Sequence, residues 1–127
     1  MSALPCPFCT LPAARIVDEN ELAVVVRDAF PVSPGHTLII PRRHVGSFFE
    51  LTADERASLL ALLDSEKTGL DSEFHPDGYN IGINDGPAAG QTVAHVHLHL
   101  IPRYSGDVPD PRGGVRWVLP KKAKYWT

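Results

Sequence analysis

The sequence predicts an α+β fold: an antiparallel sheet of about five strands with one long helix and a shorter one. Three observations carry that expectation. Short Val-, Ile- and Leu-rich runs recur along the chain, each bounded by Pro, Gly or Asp. A single stretch after Thr52 switches to helical period. The connection between the first two runs is short enough for antiparallel pairing. The 127 residues fit one domain, 1–127, with its core at about 6–107 and a tail at 108–127.

Taken in order, ELAVVVR (Glu21–Arg27) reads as a buried strand. AFPVSPG follows as a loop by its prolines and glycine, and HTLIIP (His36–Pro41) as a second strand that a proline stops. Thr52 and Glu55 have the spacing of a capping box, in which each side chain takes a backbone N–H at the helix start. The helix is expected from about Ala53 to about Glu73. Leu59, Leu60, Leu63 and Leu70 form its stripe, Lys67 interrupts that stripe, and Gly69 weakens the last turns. HPDG is a turn, and YNIGIN (Tyr79–Asn84) alternates as a strand does. AHVHLHLIP (Ala94–Pro102) is the clearest strand of all.

Composition narrows the function classes. A chain that is 43% hydrophobic and 21% charged can bury a core and is not disordered. No apolar run reaches the ~18 residues of a membrane span, so no membrane partner is expected. A net charge of −3 argues against nucleic acid. MSALPCPFCT lacks the basic and apolar parts of a secretory signal, which points to the cytoplasm. There, a C-x-x-C such as Cys6 and Cys9 is a metal or redox motif more often than a disulfide framework. Residues 103–127 are basic while the rest is acidic. With both tryptophans, Trp117 and Trp126, this tail is expected to dock on the domain or on a second subunit.

The strand His95-Val96-His97-Leu98-His99-Leu100 alternates imidazole and aliphatic residues. Side chains alternate faces along a strand. All three histidines therefore share one face, neighbours ~6.5–7 Å apart, while Val96, Leu98 and Leu100 face the core. Each buried ring needs hydrogen-bond partners, so three of them serve packing poorly. Two chemistries remain open: the rings bind a metal ion, or they act as nucleophile with acid/base partners. The absence of Asp and Glu from Val93 to Arg103 favours the second. GPAAGQTV (Gly86–Val93) sits just upstream. Its glycines let backbone N–H groups approach an anion, and Gln91 and Thr92 add hydrogen bonds.

These residues resemble the histidine triad (HIT) family of nucleotide hydrolases and transferases. The family signature His-φ-His-φ-His-φ-φ, with φ apolar, is matched throughout by His95 to Ile101; PGHTLIIP, Asn84 and GQTV resemble further family motifs. The resemblance implies that His97 attacks the α-phosphorus of a nucleotide, forming a nucleotidyl-histidine that water then hydrolyses. It implies that His99 and His36 bind and neutralise the phosphate. Gln91, Thr92, Asn84 and Gly90 would contact the phosphate or leaving group, and Asp28 the ribose hydroxyls. Substrates would be dinucleoside polyphosphates or nucleoside phosphoramidates; the alternative is a nucleotide-binding module without catalysis. Phe8, Leu11, Ile16 and Val26 are expected to wall the nucleoside pocket. Cys6 and Cys9 with His44 resemble a zinc-bearing bacterial branch, with His95 completing a closed, structural Cys₂His₂ site. Family members are commonly homodimers, which makes Arg112, Arg116 and Trp117 candidates to reach a partner's site.

Overall fold

The structure, a computed structural model, describes residues 6–127; Met1–Pro5, part of the stretch read for a secretory signal, lie outside it. Five strands form one antiparallel sheet: β1 (Ile16–Glu19), β2 (Ala23–Arg27), β3 (Thr37–Pro41), β4 (Gly78–Gly82) and β5 (Leu98–Arg103). Their spatial order is β1-β2-β3-β5-β4. One helix, α1 (Ala53–Phe74), lies across the sheet between β3 and β4 in sequence. The shorter helical pieces are 3-10 turns, the longest at Gly114–Val118. Among the described residues no helix is long and apolar enough to cross a membrane.

The capping box forms as expected. Glu55 N–H donates to Thr52 Oγ1 at 3.0 Å and Thr52 N–H to Glu55 Oε1 at 2.9 Å. The helix stops where His75 takes a left-handed conformation at φ 53°. Its buried stripe is Glu55, Leu59, Leu62, Glu66 and Leu70, whereas Leu60 is exposed. Two glutamates sit on the inner face because two arginines meet them. Arg43 forks onto Glu55 at 2.8 and 2.9 Å, and Arg27 reaches Glu66 at 2.6 Å. A buried carboxylate with such a partner is tolerated in a position that sequence pattern assigns to an apolar residue.

The sheet has two working faces. Val25, Ile39 and Leu98 point towards Leu59 and Leu62 of α1 and form the main core. On the opposite face Val24, Val26, Leu38 and Ile40 pack together, partly covered by Phe8, Leu11 and Ile16 of the N-terminal segment. His99 pairs with Leu38 across β3–β5 and so belongs to this second face.

β5 begins at Leu98, not at Ala94. β3 pairs with it only over Thr37–Ile39. Beyond that point the Pro41 carbonyl accepts from the His95 ring at 2.7 Å, and Val96 N–H donates to Val45 O at 2.8 Å. His95 and His97 therefore precede the ladder, held by these bonds and free of strand geometry. β1 had no counterpart in the sequence reading: its four residues alternate only weakly, and the pairing with β2 is broken by a bulge between Ile16 and Asp18.

Candidate active site

Departure from the ladder splits the histidine row in two. His95 is fully buried and turns to Cys6, Cys9 and His44, while His97 and His99 remain part-exposed with ring centroids 5.0 Å apart. His36, buried at the start of β3, completes the second group at 5.2 Å from His99.

Backbone partners fix the tautomers, because an N–H can only donate and a carbonyl can only accept. The His97 Nδ1 lies 3.0 Å from the His95 carbonyl, so Nδ1 carries the proton and Nε2 keeps its lone pair. Val32 N–H donates to His36 Nδ1 at 3.2 Å, which puts the His36 proton on Nε2. That proton is given to His99 Nδ1 at 3.0 Å, so His99 Nε2 is a donor. One nucleophilic nitrogen and one N–H donor thus stand on neighbouring rings. Burial lowers His36 below the usual imidazole range, opposed by the charge of Asp28. Burial, with the like charges of His97 and His36, pushes His99 down to about 4. Both are neutral near pH 7.

Asp28 lies against this group. Its Oδ1 accepts from Phe30 N–H at 2.8 Å and its Oδ2 stands 3.4 Å from His36 Nε2. Asp28, His36 and His99 are close enough to share an ion. The tautomer excludes it: His36 Nε2 carries a proton and has no lone pair for a metal. His95, His97 and His99 do not converge on one point either, and among the described residues the metal-compatible groups leave His97 out.

The Gly-rich loop is latched by Gln91. Its Oε1 accepts from Gly86 N–H at 2.8 Å, and its Nε2 donates to Gly46 O and Val93 O at 2.8 and 3.1 Å. Gly86 and Gly90 both adopt φ 95°, a conformation that disfavours any side chain. Asn84, Gly90 and Thr92 are exposed beside it. Phe8 stands edge-on to His97 at 4.9 Å, while Leu11, Ile16 and Val26 pack behind it. The groups that assign the tautomers, the Val32 amide and the Pro41 and His95 carbonyls, went unseen in the sequence because backbone atoms leave no residue-type signal. Asp85 was missed too; its carboxylate ties the loop to Ser47 and Phe48 at 3.0 and 2.9 Å.

Cys6, Cys9, His44 and His95 form the other cluster. Cys9 Sγ lies 3.2 Å from His44 Nδ1 and 3.5 Å from His95 Nδ1, with Cys6 Sγ 3.4 Å from His95 Nδ1. The two Nδ1 atoms are 3.3 Å apart. The His95 Nε2 proton goes to the Pro41 carbonyl, which aims the Nδ1 lone pair inwards. Burial holds this ring below its ordinary pKa, and so neutral. These are four of the six edges of a small tetrahedron of two sulfurs and two nitrogens, all within 4.8 Å of one another and able to hold a metal ion.

Arg112 and Arg116 do not reach this face. Arg112 pairs with Asp110 and lies over the Trp126 ring at 4.6 Å; Arg116 donates to Lys122 O and Ala123 O at 2.7 and 2.8 Å.

Comparison with known proteins agrees with the geometry. The HIT domain family model matches residues 12–106. A HIT-like protein of Mycoplasma pneumoniae is 39% identical over 104 residues, covering 78% of this chain and 72% of its own. An AP-4-A phosphorylase of Mycobacterium tuberculosis is 34% identical over 113 residues, covering 84% of this chain but 58% of its own. The crystal structure of SMU.412c from Streptococcus mutans superposes with a TM-score of 0.76 at 36% identity, over 87% of this chain and 73% of that one. With the family model matching most of its length and relatives above 30% identity aligned over more than two thirds of both chains, this chain belongs to the HIT domain family.

Proposed function

We propose that the protein is a nucleotidyl hydrolase that cleaves a dinucleoside polyphosphate or a nucleoside phosphoramidate at the α-phosphate through His97. The single observation that carries this reading is the His97 Nδ1–H bond to the His95 carbonyl, which leaves Nε2 as a free nucleophile. Nε2 attacks the α-phosphorus and a nucleotidyl-histidine forms as the bond to the leaving group breaks, the polyphosphate departing as its anion or the amine nitrogen taking a proton from water to depart as ammonia. Water then attacks the same phosphorus and releases the nucleotide, returning the lone pair to Nε2. The His99 Nε2–H, oriented through His36 and Val32, donates to a phosphoryl oxygen as charge builds there. Such donors contribute ~2.7–4 kcal/mol in comparable sites. The Gln91-latched loop and Thr92 would contact the phosphate or the atoms leaving it, with Asn84 and Gly90 beside the phosphate. Asp28 keeps lone pairs for ribose hydroxyls, and Phe8 and Ile16 wall the nucleoside.

The Cys/His cluster fits zinc. Bonds of ~2.3 Å to sulfur and ~2.0–2.1 Å to nitrogen give N–N and S–N tetrahedral edges of about 3.3–3.6 Å, close to the 3.2–3.5 Å separations found for those pairs. Cys6, Cys9, His44 and His95 would hold the ion with no open position, and its part would be to fasten the N-terminal segment to the sheet. β4 at the sheet edge, with Ile81 half-exposed, offers the surface for a homodimer.

The test is rapid-quench mass spectrometry during turnover of diadenosine tetraphosphate and of adenosine 5′-phosphoramidate. The expected result is a nucleotidyl adduct on His97, absent in His97→Ala. Turnover by His97→Ala at the wild-type rate overturns the reading. Repeating the assay with added inorganic phosphate separates hydrolysis from phosphorolysis.

A further inference from the structure

The row of side chains on β5 does not end at His99. Ile101 and Arg103 follow on the same face, and Asn80 of β4 pairs with Ile101. Beyond His99 the tail 108–127 folds back, and between it and the sheet lies a cavity of about 590 Å³ lined by Asn80, Ile101, Arg103, Val108 and Trp117 among others. That volume falls within the ~300–1,000 Å³ of small-molecule sites. Nothing in the reaction outlined above uses it.

The charges in its wall are already spent on one another. Arg103 forks onto Asp107 at 2.8 and 2.9 Å and gives its remaining nitrogen to Asn80 Oδ1 at 2.6 Å. Asp110 is held by Arg112, and the Tyr104 hydroxyl donates to Pro34 O at 2.7 Å. No cation is left for a phosphate, and two carboxylates stand close by. What remains is apolar wall, the Trp117 ring, and the Asn80 NH₂ group, whose proton acceptor Oδ1 is taken. Gly114, at φ 48°, keeps that NH₂ clear, since a Cβ there would sit 3.3 Å from it. Trp117 is held by its own Nε1–H to the Arg112 carbonyl at 2.8 Å and, 38% exposed, lines the cavity. An uncharged planar group with a hydrogen-bonding edge suits such walls.

We propose that this cavity binds the base of the distal nucleoside of a dinucleoside polyphosphate, with Trp117 as its stacking wall. The inference rests on the reading of His97 given above. The His97 and His99 rings lie 5.0 Å apart and Ile101 stands two strand residues, ~7 Å, beyond His99, so Ile101 is within ~12 Å of His97. A base in the cavity and a phosphorus at His97 Nε2 are therefore bridged by a chain of several phosphates. The phosphate grip stays with the histidines, and the distal base supplies affinity through stacking.

The test compares kcat/KM for diadenosine tetraphosphate and for adenosine 5′-phosphoramidate, whose leaving group is ammonia. Two variants alter the cavity in opposite senses: Trp117→Ala removes the wall and Val108→Trp fills the space. Each is expected to lower the dinucleotide value about tenfold, the worth of one stacked base, and to leave the phosphoramidate value unchanged. Equal losses on both substrates, or none on either, overturn the cavity and leave the hydrolase intact. If the wild type cleaves neither substrate, the His97 reading falls, and the cavity is then decided by binding. A shift of the Trp117 indole N–H resonance on adding diadenosine tetraphosphate, abolished in Val108→Trp, supports it; an unmoved resonance overturns it.

Discussion

The two histidine clusters share a residue type, a sheet and nearly a position, yet one is closed and the other open. In the Cys6/Cys9/His44/His95 group the inner lone pairs converge, and the outer His95 nitrogen is tied to Pro41. In the His36/His97/His99 group the backbone ties are made through Nδ1, so Nε2 of His97 points away from them. The same ring, turned about its two nitrogens, aims its free lone pair into a closed cluster in one place and out of the sheet's second face in the other. What tells them apart is which nitrogen the main chain occupies, and no sequence motif spells that out.

If that distinction is right, each cluster fails in its own way. Replacing His97 by Ala is expected to cut turnover by ~10³-fold or more and to move Tm by no more than ~2 °C, measured by steady-state kinetics and calorimetry. Replacing Cys9 by Ser should invert the pattern. Tm falls on the order of 10 °C and the zinc content of the purified protein drops, while residual activity stays above that of His97→Ala. A Cys9→Ser protein with unchanged Tm would erase the contrast.

Gln91 sits between the two behaviours, because its three hydrogen bonds latch the Gly-rich loop beside the histidines. Gln91→Ala is expected to cost ~1–3 kcal/mol in urea unfolding and to raise KM as well.

Acid sharpens the comparison further. His99 is held down to about 4 against an ordinary value near 6.5, in the company of His97, His36 and Asp28. Its neutral ring therefore contributes stability that is complete above pH 6.5 and lost as pH falls towards 4. The urea midpoint of wild type should decline across that window more steeply than that of His99→Asn. As a floor, Lys67→Ala, which breaks an exposed pair with Asp71 at 2.6 Å, should change unfolding free energy by less than ~0.5 kcal/mol.

Local pattern carried the long elements. The capping box placed the start of α1, apolar runs placed β2 and β3 and alternation placed β4 to within a few residues, and the signature brought His97 and His99 to notice, with PGHTLIIP adding His36. It failed where distant partners intervene. Leu60 is exposed, and Glu55 and Glu66 are buried because Arg43 and Arg27, outside the helix, satisfy their carboxylates on the inner face. His95 leaves the row because a carbonyl at the end of β3 takes its ring proton. The tail was legible only as aromatic and basic. Its fold depends on side-chain bonds to its own carbonyls, such as Arg116 to Ala123.

One feature of His95 reaches further than its ring. The oxygen that orients His97 belongs to the main chain, and every amino acid brings the same oxygen. Genetic drift at position 95 can destroy the cluster, but it cannot delete the acceptor that selects the nucleophile's tautomer. A lineage that lost its cysteines could thus keep its chemistry, provided something else held that stretch of backbone in place.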